Sequence, residues 1–159
     1  MTHGDEHPRR VVSIHVAPAT RLAMRSVEAA ELRTAGGIVG DRYENARHRH
    51  VSLQSTEDLA ASSVALGATI DPGTTRRNLT VSGPTLPTAP GTRIALGDAV
   101  ELEVVRVAAP CRIMDDAVGP GAHRAMRHRG GVICRVLRGG PIATGDRVTV
   151  TSDGDELTP

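Results

Sequence analysis

Cys111 is the residue in this chain whose chemistry is hardest to dismiss. It follows Pro110 and precedes Arg112 in "AAPCRIMDD", where a valine-rich stretch gives way to a different pattern. A free cysteine is commonly a small buried hydrophobe. A proline that stops a strand and a neighbouring arginine argue for the alternative. If "RIMDDAV" opens a helical turn, its free N–H groups add to the arginine's effect and draw the thiol toward the thiolate. A thiolate is what soft-metal ligation and sulfur-transfer chemistry both require. Cys134, the second of only two cysteines, sits among apolar residues in "GVICRVL" and reads as core packing.

Other residues invite chemistry more weakly. In "RRN" (76–78) strand alternation sends Arg76 and Asn78 to one face and Arg77 to the other. Arginine grips phosphate bidentately, and an asparagine amide both donates and accepts. Taken alone, the triplet also suits a solvated strand end. Asp41 in "GGIVGDRY" either closes an Asx-turn or orients Arg42 or a bound group. Arg129 stands just before Gly130 and Gly131, where a cation can approach an anion. His48 and His50 in "RHRH" alternate onto one face without an evident carboxylate or thiol to complete a metal set, so a polar face is the better reading. His123 and His128 read as exposed.

The elements that must hold these residues are mostly strands. "VVSIHV" (11–16), "HVSLQS" (50–55), "RRNLTV" (76–81) and "GVICRVLRGG" (131–140) are β-rich runs. In 93–107, Gly97-Asp98 turns one strand into the next, and Val100, Leu102 and Val104 alternate with Glu101 and Glu103. The segment "IATGDRVTV" (142–150) repeats the pattern around that turn and reads as a second, similar hairpin. A helix is expected over 55–67, with Ser55 as cap, Glu57 and Asp58 in the first turn and Gly67 as stop. Residues 20–32 read as a short helix or a loop. About seven short strands with one or two helices predict a mainly β fold: a mixed, closed or nearly closed β-barrel with a few short helices. One domain spans 10–151, between a polar tail (1–9) and an acidic tail (152–159).

Composition narrows function. The net charge is +1, with 19 basic residues, all arginine, against 18 acidic ones. That balance provides no global field for nucleic acid or acidic lipid. One tyrosine and no Phe or Trp exclude a base-stacking platform. Without lysine there is no Schiff-base chemistry. No apolar run reaches membrane-spanning length, no signal peptide is evident, and two cysteines make no disulfide framework, so a cytoplasmic protein is expected.

In order, "GGIVGDRY", "VSLQSTEDL", "RRNLTVSG", "GTRIALGDAVELEV", the Pro-Cys pair and "RGGVICRVLRGGPIATGDRV" resemble the MOSC domain, named for the C-terminal domain of molybdenum cofactor sulfurase. The resemblance covers about residues 10 to 150 and implies a β-barrel. It implies that Cys111, the cysteine after proline, is the metal ligand of a molybdenum–pterin cofactor, with Arg76 and Asn78, and as further candidates Asp41 and Arg129, at its polar parts. Reductases of this family act on N-hydroxylated compounds and carry further segments for which 159 residues leave no room. An electron-donor protein would then be needed. The alternative that the resemblance implies is a sulfur carrier, with Cys111 loaded as a persulfide by a cysteine desulfurase. A third reading is a non-enzymatic binding module.

Overall fold

Strand pairing in the computed structural model closes a barrel. Residues 8–110 and 113–151 are described; Cys111 and Arg112 lie outside them. The strands are β1 (Arg9–Val16), β2 (Arg25–Val27), β3 (Ala29–Leu32), β4 (Val51–Ser55), β5 (Leu79–Val81), β6 (Arg93–Leu96), β7 (Val100–Val107), β8 (Val132–Arg138), β9 (Gly140–Ala143) and β10 (Arg147–Thr151). The helices are α1 (Thr56–Leu66), α2 (Ile113–Ala117) and α3 (Ala122–Ala125).

Seven strands run in the order β10-β6-β7-β8-β4-β5-β1, and β1 returns to β10 to shut the ring. The predicted mainly β barrel with a few short helices is therefore the fold. All of these pairs are antiparallel except β4–β5, where Leu53, Gln54 and Ser55 align with Leu79, Thr80 and Val81. A parallel pair needs a long crossover, and α1 with the chain to residue 78 supplies it. Inside the ring, Ile14, Leu53, Leu79, Ile94, Leu96, Leu102, Val132 and Cys134 are essentially without solvent contact. This aliphatic core replaces the aromatic filling that the composition denies.

Local signals account for the elements around it. Ser55 accepts a hydrogen bond from the Asp58 amide and starts α1; Gly67, at φ 82°, ends it. The β6–β7 hairpin forms as its alternation predicts, with Leu96 opposite Val100. Three expectations are corrected. Residues 20–32 hold β2 and β3 rather than a short helix or a loop alone, because β2 finds an edge of β1 and β3 pairs with β9. The 142–150 segment makes a tight turn, with the Asp146 amide donating to Ala143 O. It is not a hairpin: β9 pairs with β3, and β10 lies between β6 and β1. The third concerns 76–81, where the strand begins only at Leu79.

Candidate functional site

Asp41 organises one cluster. Its carboxylate is fully buried. Oδ2 accepts from the Tyr43 amide at 3.1 Å, closing an Asx-turn. Oδ1 accepts from the Ala17 amide at 3.0 Å, from Arg42 Nη1 at 3.2 Å and from Asn78 Nδ2 at 3.3 Å. The turn-closing and arginine-orienting readings of this residue are thus both present in one side chain. Arg42 also donates through Nη2 to the Arg76 carbonyl at 3.3 Å. Its guanidinium lies over the Tyr43 ring, 4.7 Å from the centroid, and Arg49 makes the same contact at 4.7 Å.

Residues 76–78 lie where a short 3-10 turn (Pro72–Thr74), capped by Asp71, runs toward β5. Arg76 has φ 68°, a left-handed conformation that breaks strand alternation. The pairing of Arg76 with Asn78 on one strand face is accordingly replaced by three different placements. The Arg76 guanidinium donates to the Leu22 carbonyl. Its pKa is lowered by burial first, then by the neighbouring Arg42 cation. Asn78 is buried and acts as a tie. Its Oδ1 accepts from the Ser52 amide at 3.1 Å and from the Ser52 hydroxyl at 3.2 Å, while Nδ2 donates to the His15 carbonyl at 3.0 Å as well as to Asp41.

Arg77, read from sequence as facing away, is almost wholly buried at 4 % exposure. Nε donates to Gly130 O at 2.7 Å, and Nη2 donates to Ala108 O at 3.0 Å and Ala109 O at 3.4 Å. It therefore ties the residues beside Asn78 to the stretch that leads into Pro110 and Cys111. Nothing in the spacing of "RRN" announces this, because the carbonyls it meets come from two distant segments.

The 108–110 stretch and the 130–131 glycines fit closely. A Cβ on Gly130 would lie 2.1 Å from Ala108 O and 3.2 Å from Pro110 Cδ. Gly131, at φ 92°, would place one 1.9 Å from Leu53 O. Only glycine tolerates both approaches. Arg129 donates to Ala125 O at 3.0 Å and, with Arg124, lines a cleft of about 330 Å³ against α1 and α3. Its side chain makes no hydrogen bond to the Asp41 cluster.

Cys111 itself lies outside the described residues, so its role rests on sequence. Cys134 is fully buried and burial pushes its thiol well up. It is the packing residue expected. His50 is buried, with Nδ1 accepting from the Val136 amide at 2.9 Å, while His48 is exposed. Among the described residues no group of three or more His, Cys, Asp or Glu side chains could hold a metal ion. His15, which the sequence reading passed over, is buried on β1 with its ring against Gly73, and its pKa is lowered by burial against an opposing pull from Asp71.

The model of the MOSC domain matches residues 14–149. This chain belongs to the MOSC domain family. Solved structures share the barrel. The YuaD protein of Bacillus subtilis superimposes with a TM-score of 0.82 at 19% identity, covering 92% of this chain and 97% of that one. YiiM from Geobacillus stearothermophilus gives 0.71 at 17% identity over 92% and 77% of the two chains. YiiM from Escherichia coli gives 0.63 at 17% identity over 91% and 69%. These identities establish a shared fold. No curated protein matches the chain.

Within this MOSC barrel, charge tests the fit of a phosphate-bearing cofactor. Arg42 pairs with Asp41, Arg76 lies within electrostatic reach of both, Arg49 stacks on the Tyr43 ring, and the next carboxylate along the loop, Glu44, is engaged by Arg33 and the Gly40 amide. Two guanidinium groups, of which only that of Arg42 is paired with the carboxylate, leave a positive excess that an anion would relieve. The residues present therefore fit a phosphorylated pterin. Asn78 contacts no part of such a group directly in this arrangement; it holds Asp41 and the β1 backbone in place.

Proposed function

We propose that this MOSC domain binds a molybdenum–pterin cofactor, with Cys111 as the thiolate ligand and Arg42 and Arg76 toward the anionic end. The observation that carries this reading is the Arg42–Arg76 pair around the buried Asp41 carboxylate, joined through Arg77 to the stretch preceding Cys111. The bound group would supply two-electron redox chemistry, with N-hydroxylated compounds as the substrate class. The chain supplies position. Asp41 fixes Arg42, Asn78 fixes Asp41, and Arg77 fixes the carbonyls of Ala108, Ala109 and Gly130, the last two residues before Pro110 and Cys111 among them. Electrons would come from a partner protein, since no side chain of the described residues is itself a two-electron donor to such a group.

The burial of Cys134 in the core favours one alternative, a persulfide carrier. With Cys134 sealed away, sulfur loaded on Cys111 by a cysteine desulfurase meets no internal thiol that would expel it as a disulfide. The third reading, a binding module, predicts neither molybdenum nor sulfur on the protein.

The test is elemental analysis for molybdenum with pterin fluorescence, on protein from a cofactor-competent host. Metal and pterin in wild type, lost in Cys111→Ser and reduced about tenfold or more in Arg76→Ala, support the cofactor reading. A labelled persulfide without metal supports the carrier. Absence of both refutes the two together.

A further inference from the structure

Whichever group Cys111 holds, electrons or sulfur must reach it from outside, and the surface beside residues 108–110, which precede it in the sequence, has a marked charge. Residues 121–131 contain three arginines and two histidines and no carboxylate. His123, Arg124, Arg127 and His128 are exposed. This segment packs on residues 108–110, which precede Cys111 in the sequence. The Ala108 amide donates to Gly131 O at 2.9 Å, and Gly130 packs against Pro110. Arg106, also exposed, comes from the end of β7, where Val107 pairs with Val132.

No ion pair among the described residues involves Arg106, Arg124, Arg127 or Arg129. Of the nearby carboxylates, Glu103 pairs with Arg135, Asp58 accepts from the Thr85 hydroxyl at 2.6 Å, and Asp115 accepts from the His123 amide at 2.8 Å, so that one acidic group borders four basic ones in this segment. Asp116 is exposed. Apolar side chains are interleaved with the cations. Ile113 is 55% exposed and Val107 45%. The cleft between Arg124 and Arg129 is floored by Leu66, Pro120 and Ala125, with room for one side chain.

We propose that Arg106 and the 123–129 segment form the docking face for an acidic donor protein that approaches Cys111. The proposal rests on the reading of Cys111 as a thiolate served by a partner, and its test uses protein free of bound molybdenum, in which that thiolate is available to a disulfide. A mixed rim of guanidinium groups around small apolar contacts suits a protein surface carrying Asp and Glu beside a hydrophobic residue. Arginine steers such a partner from a distance, and the cleft sets its register.

The experiment uses the full chain and a defined probe: a hexaglutamate peptide carrying one cysteine activated as a thiopyridyl disulfide. Its comparator is the same peptide with glutamines. The Cys111 thiolate attacks the peptide sulfur, a new S–S bond forms, and pyridine-2-thione leaves and is followed by absorbance. We expect the acidic peptide to react about tenfold faster at low salt, with the advantage lost at about 0.5 M salt. Arg124→Gln/Arg127→Gln should abolish the advantage. Arg138→Gln, an exposed arginine at the far end of β8, should retain it. Equal rates for the two peptides, or an acidic preference untouched by the double variant, would overturn the docking face while leaving Cys111 reactive. Stronger shielding of Cys111 by duplex DNA or phosphatidylglycerol vesicles than by the acidic peptide would overturn it in favour of those surfaces. Failure of a small neutral disulfide to modify Cys111 would refute the accessible thiol, and the docking proposal with it.

Discussion

Asn78→Asp changes one atom's chemistry at the centre of the Asp41 cluster. Its Oδ1 can keep both bonds from Ser52. The amide nitrogen, however, becomes a carboxylate oxygen facing Asp41 Oδ1 across 3.3 Å. At an effective dielectric of about 20, two unit charges at that separation repel by about 5 kcal/mol. Arg42, 3.2 Å from the same Asp41 oxygen, offsets part of this. The lost bond to the His15 carbonyl adds about 1 kcal/mol in the same direction. A net destabilisation of about 3–5 kcal/mol follows, a large share of the about 5–15 kcal/mol that stabilises a typical domain. The cost depends on pH. The introduced carboxylate has a folded pKa raised above its unfolded value of about 3.9, so its penalty is absent below that value and grows as pH rises through the folded one. Urea unfolding of wild type and variant at pH 7.5 and pH 5, on the order of neutral and mildly acidic conditions, reads this directly. A penalty under about 1 kcal/mol, or one that increases on acidification, would refute the buried Asn78–Asp41 contact.

Two other perturbations follow from the same geometry. Arg77→Ala should cost about 3–5 kcal/mol in denaturant unfolding, because it leaves the carbonyls of Gly130 and Ala108 without their charged donor; Arg76→Ala, whose side chain is only partly buried, should cost clearly less. For His15, burial lowers the folded pKa, so its contribution to stability is present above about 6.5 and is lost as pH falls through the folded value; His15→Gln should flatten the loss of urea midpoint between neutral and mildly acidic pH.

What could be read from sequence follows the range of the interactions involved. Helix α1 was legible because its cap and stop lie within its own thirteen-residue neighbourhood of about 55–67. The β6–β7 hairpin was legible for the same reason. Barrel closure was legible only as a class, since no local pattern tells Arg9 that it will face Val148. The repeated turn misled because Gly97 and Gly145 share a positive φ while their flanking strands have different partners. At the site, the Asx-turn that was one of two readings of Asp41 is local and forms, whereas its link to Asn78 spans 37 positions. Arg77 was misassigned because alternation was applied before the strand begins. A left-handed Arg76 is invisible to propensity, which makes such a conformation rare for any residue but glycine or asparagine.

The position of β10 in the ring has a consequence for how the barrel comes together. It is the last strand among the described residues, and it fills the gap between β6 and β1. Until it is in place, both of those strands present unpaired backbone edges, and edges of that kind recruit other chains. Closure also joins residues at opposite extremes of the domain, which puts a high-contact-order step last. A nascent domain would thus remain sticky on two sides until the strand that seals both has left the ribosome, and aggregation of newly made chains, rather than unfolding of finished ones, would be the main hazard to its yield.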